Sequence, residues 1–91
     1  MPRITIYRRT SCNFCDTAKY LLEGKGVEPE EIDVTKSPEM RAEMEKRTGG
    51  SDTLPQIFIG ERHVGGCDEL IALDRNGELE ALLSGEAESG A

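Results

Sequence analysis

Cys12 and Cys15 enclose Asn13 and Phe14, between an apolar run, Ile4-Thr5-Ile6-Tyr7, and a stretch carrying Ala18, Leu21 and Leu22 at helical spacing. A thiol placed where a strand hands over to a helix faces the unpaired N–H groups of the first turn and the positive end of the helix dipole. Both favour the thiolate, which is the attacking species in disulfide exchange. Cys12 therefore reads as a redox nucleophile that can stay exposed, and Cys15, inside the first turn and more covered, as its resolving partner. Arg9 would help by charge, whereas the carboxylate of Asp16 disfavours the thiolate, and the sequence leaves the balance open. A C-x-x-C pair also occurs in zinc sites, but structural zinc takes four protein ligands, and Cys67 and His63 do not form a second ligand pair at the required spacing.

Two further segments have chemistry in them. Thr53-Leu54-Pro55 stands at the head of the strand-like Gln56-Ile57-Phe58-Ile59. A proline there tolerates a cis peptide and loses no ladder bond. Leu54 would then turn its backbone N–H and C=O outward, to pair with an extended peptide beside Cys12; taken alone, Pro55 reads better as an ordinary strand-initiating proline. Gly65-Gly66-Cys67-Asp68 runs glycines into a helix start, which makes an anion site, with Asp68 as cap and as acceptor for a ligand ammonium. By itself the same run is also a turn plus a cap.

The elements that must position these residues follow from pattern. Residues 3–7 read as a short buried strand, with Ile4 and Ile6 on one face. Residues 13–24 read as a helix stopped by Gly24-Lys25-Gly26, and Glu30-Glu31-Ile32-Asp33-Val34 as a second strand, giving a right-handed parallel β-α-β unit. Ser37-Pro38-Glu39 opens a second helix, Ser as N-cap and Pro at the first helical position, and Met40 and Met44 at i,i+4 face the core. Gly49-Gly50-Ser51-Asp52 stops it. A hairpin through Gly60-Glu61-Arg62 joins the third strand to His63-Val64-Gly65. A last helix begins near Asp68, breaks at Asn76-Gly77 and resumes with Leu79, Leu82 and Leu83. His63 is expected to be structural or solvent-facing. The order β-α-β-α-β-β-α is that of an α/β thioredoxin-like fold, a four-stranded mixed sheet flanked by helices, over residues 1–84, followed by a flexible acidic tail over 85–91.

Bulk properties narrow the function. With 91 residues the chain makes one small domain with an aliphatic core and no Trp. Three cysteines, two of them too close together to staple distant parts of the chain, do not make a secreted disulfide scaffold and point to a reducing compartment. No run is apolar enough to span a bilayer and no signal peptide is visible, so a cytoplasmic location is expected. A net charge of −7 argues against generic nucleic-acid binding. Arg3, Arg8 and Arg9 nevertheless form a small basic cluster near Cys12 that an anionic substrate could use.

Taken together, C-x-x-C at the first helix, T-L-P before the third strand and G-G-C-D before the last helix resemble the glutaredoxin family, its short bacterial dithiol type, over nearly the whole chain. The resemblance implies a glutathione-dependent thiol–disulfide oxidoreductase acting on glutathionylated or disulfide-containing proteins through Cys12 and Cys15, as a monomer. It implies that Leu54 pairs with the cysteine part of glutathione and that Pro55 is cis. Arg9 would meet the glycine carboxylate, and Gly66, Cys67 and Asp68 the γ-glutamyl end, with Thr53 and the aromatic wall of Phe14 completing the site. The motif here is Cys-Asn-Phe-Cys where the family usually has Cys-Pro-Tyr-Cys. Relatives lacking that proline can hold a [2Fe–2S] cluster between two protomers through the first cysteine and glutathione sulfur, so a cluster-bridged dimer ligated by Cys12 is an alternative. A glutathione-independent, thioredoxin-like electron donor is a third reading, against which Arg9, Thr53 and Asp68 argue. Cys67 reads as a partly covered side chain or as a redox-sensitive third thiol.

Overall fold

Alternation of apolar residues builds a sheet that is covered on both sides. The structure, a computed structural model, describes residues 2–85. Strands β1 (Ile4–Arg8), β2 (Glu30–Asp33), β3 (Gln56–Ile59) and β4 (Arg62–Gly65) form one sheet in the order β2-β1-β3-β4. The β1–β2 pair is parallel, and β1–β3 and β3–β4 are antiparallel. Helices α1 (Asn13–Gly24), α2 (Pro38–Thr48), α3 (Cys67–Arg75) and α4 (Leu79–Ser84) complete the chain. This is the thioredoxin-like arrangement expected from the sequence, and the break at Asn76-Gly77 separates α3 from α4. The acidic tail expected over 85–91 lies, beyond Gly85, outside the described residues.

Period-two alternation sorts the strand residues between two cores. Ile4, Ile6, Ile57 and Ile59 join Ala18 and Leu22 of α1, Leu70 and Leu73 of α3, and Leu79 and Leu82 of α4. On the opposite face Tyr7 and Phe58 meet Met44 of α2 and Val34. Because both faces are covered, Thr5 and Tyr7 of β1 are buried as well as Ile4 and Ile6. The strand runs one residue later than expected, to Arg8, which pairs with Asp33.

Local chemistry sets the ends of α2. The Ser37 hydroxyl accepts the Met40 N–H at 3.2 Å, Pro38 opens the helix, and Gly49 ends it at φ 76°, where a side chain would be strained. Met44 is fully buried, whereas Met40 is partly covered at the edge of the same cluster. Met44→Ala is therefore expected to cost about 2–5 kcal/mol in urea denaturation, and Met40→Ala clearly less.

Candidate functional site

The turn from β1 into α1 is held from two sides. Ser11 has φ 55°, a left-handed conformation uncommon for a residue with a side chain. Beside it, Thr10 is tied to the segment after β2: its N–H donates to Thr35 Oγ1 at 3.1 Å, and its hydroxyl donates to Asp33 Oδ2 at 2.6 Å. The Thr35 N–H donates to the other oxygen of Asp33 at 2.8 Å. These bonds, that of the Thr10 hydroxyl first and those of Thr35 next, hold the Asp33 carboxyl below the usual carboxylate range. From the other side the Arg8 guanidinium donates to the Arg9 carbonyl at 3.2 Å and pairs with Glu31 at 2.8 Å and Asp16 at 2.9 Å.

Those ion pairs change two expectations. Asp16, which would oppose a thiolate, has its carboxylate matched by Arg8. The basic cluster is also smaller than the sequence suggested, because Arg3 pairs with Glu30 and Arg8 with Glu31 and Asp16. Of the three arginines, only Arg9 forms no ion pair among the described residues.

The loop delivers Cys12 as the N-cap of α1. Its Sγ accepts the Cys15 N–H at 3.2 Å, and Cys12 and Cys15 are joined as a disulfide, their Cα atoms 5.2 Å apart. Cys12 was expected to stay exposed, yet it is only 3% exposed, beside a fully buried Cys15. The disulfide explains this: it turns the Cys12 sulfur toward Cys15, which shares the inward face of α1 with Ala18 and Leu22. Phe14, between the two cysteines, is 66% exposed.

A cleft of about 330 Å3 lies next to the pair. Phe14 lines it from α1, Thr53, Leu54 and Pro55 from the turn before β3, and Gly66, Cys67 and Asp68 from the start of α3. The Leu54–Pro55 peptide is cis. Among the described residues, the Leu54 N–H and C=O have no hydrogen-bond partner. Arg9 is exposed and does not line the cleft; it leaves the end of β1 as part of the loop.

Helix α3 starts one residue earlier than expected, which changes the role of Asp68. Gly66 is the N-cap, Cys67 the first helical residue and Asp68 the second, so Asp68 does not cap the helix. The cap has no side chain of its own. Glu69 instead reaches back, its Oε1 accepting the Gly66 N–H at 2.7 Å. The N–H groups of Cys67, Asp68 and Glu69 are left without an acceptor among the described residues, as the first turn of a helix dictates. Cys67 is nearly buried and belongs to the core. Burial first, then the carboxylates of Asp68 and Glu69, push its thiol above the usual range, which favours a resting thiol over a thiolate.

Several site residues escaped the sequence reading. Gln56, His63 and Glu69 line the cleft, and Arg8, Asp33 and Thr35 hold the loop. Among the described residues, no group of three or more His, Cys, Asp or Glu side chains is placed to hold a metal ion. A four-ligand iron–sulfur cluster on Cys12 would therefore need ligands from beyond the described residues. No helix of the described residues is long and apolar enough to cross a membrane.

Comparison with known proteins gives a consistent result. The family model described as Glutaredoxin matches residues 4–64. A Pseudomonas aeruginosa protein named Glutaredoxin is 55% identical over 84 residues, 92% of this chain and 99% of that one. Glutaredoxin 3 of Escherichia coli (strain K12) is 46% identical over 83 residues, 91% of this chain and 99% of that one. Among solved structures, a buckwheat glutaredoxin–glutathione complex superposes with a TM-score of 0.83 at 27% identity, covering 94% of this chain and 80% of that one.

The Asp33 clamp leads to a pH prediction. A carboxyl whose folded-state pKa is depressed stabilises the fold above its unfolded pKa and stops doing so as pH falls through the folded value. Thermal melts should show Asp33→Asn less stable than wild type at pH 7, with the gap closing on acidification below the carboxylate range.

Proposed function

The chain belongs to the glutaredoxin family, and from that premise we propose that it is a glutathione-dependent thiol–disulfide oxidoreductase working through Cys12 and Cys15. The observation that carries this reading is the Cys12–Cys15 disulfide at the start of α1, beside a cleft with open backbone donors on two of its walls.

In the monothiol route the Cys12 thiolate attacks the glutathione sulfur of a protein–glutathione mixed disulfide. The Cys12–glutathione bond forms, and the protein thiolate leaves and takes up a proton. The thiolate of a second glutathione attacks the same glutathione sulfur, giving oxidised glutathione and restoring the Cys12 thiolate. In the dithiol route Cys12 attacks a protein disulfide. Cys15 then displaces the second client sulfur from Cys12 and leaves the Cys12–Cys15 disulfide, which two glutathiones reduce. The first-turn N–H groups of α1 favour the Cys12 thiolate as attacker and as leaving group, and the Sγ already accepts one of them, from Cys15.

A tripeptide with a carboxylate at each end needs anchors at both ends and one extended contact in the middle. The unbonded backbone of Leu54 supplies the middle contact, flanked by Thr53, Pro55 and the Phe14 ring. The free N–H groups of Cys67 and Asp68 receive the γ-glutamyl carboxylate behind Gly66, and the Asp68 carboxylate receives the ammonium. Arg9, with no ion pair among the described residues, takes the glycine carboxylate. The protein acts as a cytoplasmic monomer on glutathionylated and disulfide-bonded proteins.

The test is glutathione-dependent reduction of a small mixed disulfide and of a protein disulfide. Cys12→Ser should abolish both. Cys15→Ser should retain the first and impair the second, and full protein-disulfide activity in Cys15→Ser would sink the dithiol assignment. Weak turnover by protein purified anaerobically as a brown, glutathione-dependent dimer would favour a [2Fe–2S] cluster on Cys12 instead.

A further inference from the structure

His63 looks dispensable by exposure, yet its ring is fixed on two sides. It stacks on Phe58 with centroids 4.9 Å apart and planes 24° from parallel. Its Nε2 lies 2.6 Å from Gln56 Oε1. Phe58 is also covered by Arg47 of α2, whose guanidinium carbon lies 4.0 Å from the ring centroid. Strand pairing puts His63 there: Phe58 pairs with His63 and Ile57 with Gly65, so Val64 is the extra residue of a bulge.

Gln56 leads from this stack into the cleft. Its side chain is almost fully buried. Its Nε2 donates to the Thr53 carbonyl at 2.9 Å and to the Thr53 hydroxyl at 3.0 Å. A carbonyl oxygen only accepts, so the amide nitrogen must face Thr53 and the amide oxygen must face His63. His63 Nε2 must then carry a proton and donate it. The three side chains form one directed chain of donors, His63 to Gln56 to Thr53, and every buried polar atom in it is satisfied.

We propose that His63 and Gln56 are positioning residues that hold the Thr53–Leu54–Pro55 turn in the form in which Leu54 offers its free backbone groups to glutathione. Neither need touch the reacting sulfurs. The inference rests on the glutathione-dependent reading above, and it adds that affinity for glutathione is set partly from β4, on the far side of β3 from Cys12. Loss of the His63 donor frees the Gln56 amide to rotate, loosens Thr53 and leaves the cysteine chemistry unchanged. The substituent that matters at position 63 is thus a donor at the reach of Nε2. Glutamine supplies one, and phenylalanine keeps only the stacking.

The experiment compares wild type, His63→Phe and His63→Gln by steady-state kinetics in glutathione, by iodoacetamide alkylation of reduced Cys12, and by backbone NMR order parameters in the absence of glutathione. His63→Phe should raise the KM for glutathione about tenfold, the scale of one lost hydrogen bond, with kcat and the alkylation rate within about twofold. The order parameters of Thr53 and Leu54 should fall from about 0.85 toward about 0.6. His63→Gln should restore all of these values. Should His63→Phe not fold, Gln56→Glu, which removes both donors to Thr53, reads the same quantities. An unchanged KM with unchanged order parameters overturns the proposal, as does a joint fall in kcat, alkylation rate and melting temperature. If the wild type shows no glutathione-saturable turnover, the functional reading fails, and the order parameters alone then decide whether His63 holds the turn.

Discussion

The carboxylate of Asp33 accepts from the Thr10 hydroxyl and the Thr35 N–H, and the path of the chain into the active-site helix depends on it. Left to local preference, a serine at φ 55° would abandon that conformation, which costs of order 1 kcal/mol or more. Thr10 and Arg8 anchor the residues just before it to β2, and Arg8 also ties the loop to α1 through Asp16. With its approach fixed, Cys12 arrives extended, as an N-cap must, with its sulfur over the first turn. The position of the nucleophile is thus a property of β1, β2 and α1 together.

Strand β3 plays the matching role for the cleft. All four of its residues are buried, and it pairs with neighbours on both sides. Its apolar side chains bind α1, α3 and α4 to one face and α2 to the other. A strand so constrained is a rigid base for the turn that precedes it, and Gln56, its first residue, is where the packed interior meets the ligand surface. Recognition groups borne on a loop gain precision when the loop is short and rooted in such an element.

What could be read in the sequence and what could not divide along a physical line. Ile4 with Ile6 and Ile57 with Ile59 carry a period of two, Ser37-Pro38 is a helix start, and Asn76-Gly77 is a break. Each is a local signal, and each element appears where its signal lies. The C-x-x-C, T-L-P and G-G-C-D segments were legible because their chemistry is contained in a few consecutive residues. The Asp33–Thr10 contact spans 23 residues and Tyr7 meets Arg47 across 40, and no local pattern specifies such pairs. Arg8 and Arg9 look alike in the sequence, yet one is saturated by carboxylates and the other, among the described residues, has none. The exposure of Cys12 was misjudged because the bonding state of its sulfur, which decides how it is covered, is not a matter of residue type. The cap of α3 was placed two residues late, at Asp68, since Gly66 has no side chain to signal one.

That glycine has a wider implication. A serine or aspartate in its place would cap α3 by accepting the N–H of the second or third helical residue with its own side chain. Its Cβ would lie 3.3 Å from Glu69 Oε1 and 3.5 Å from the Pro55 carbonyl. Such a change is the sort that helix-cap optimisation favours, and it would occupy from within the donors that the cleft offers outward. Robustness of the helix and receptivity of the site draw on the same few N–H groups, so a more thermostable form of this protein would be better sought at α2 or α4 than at the mouth of α3.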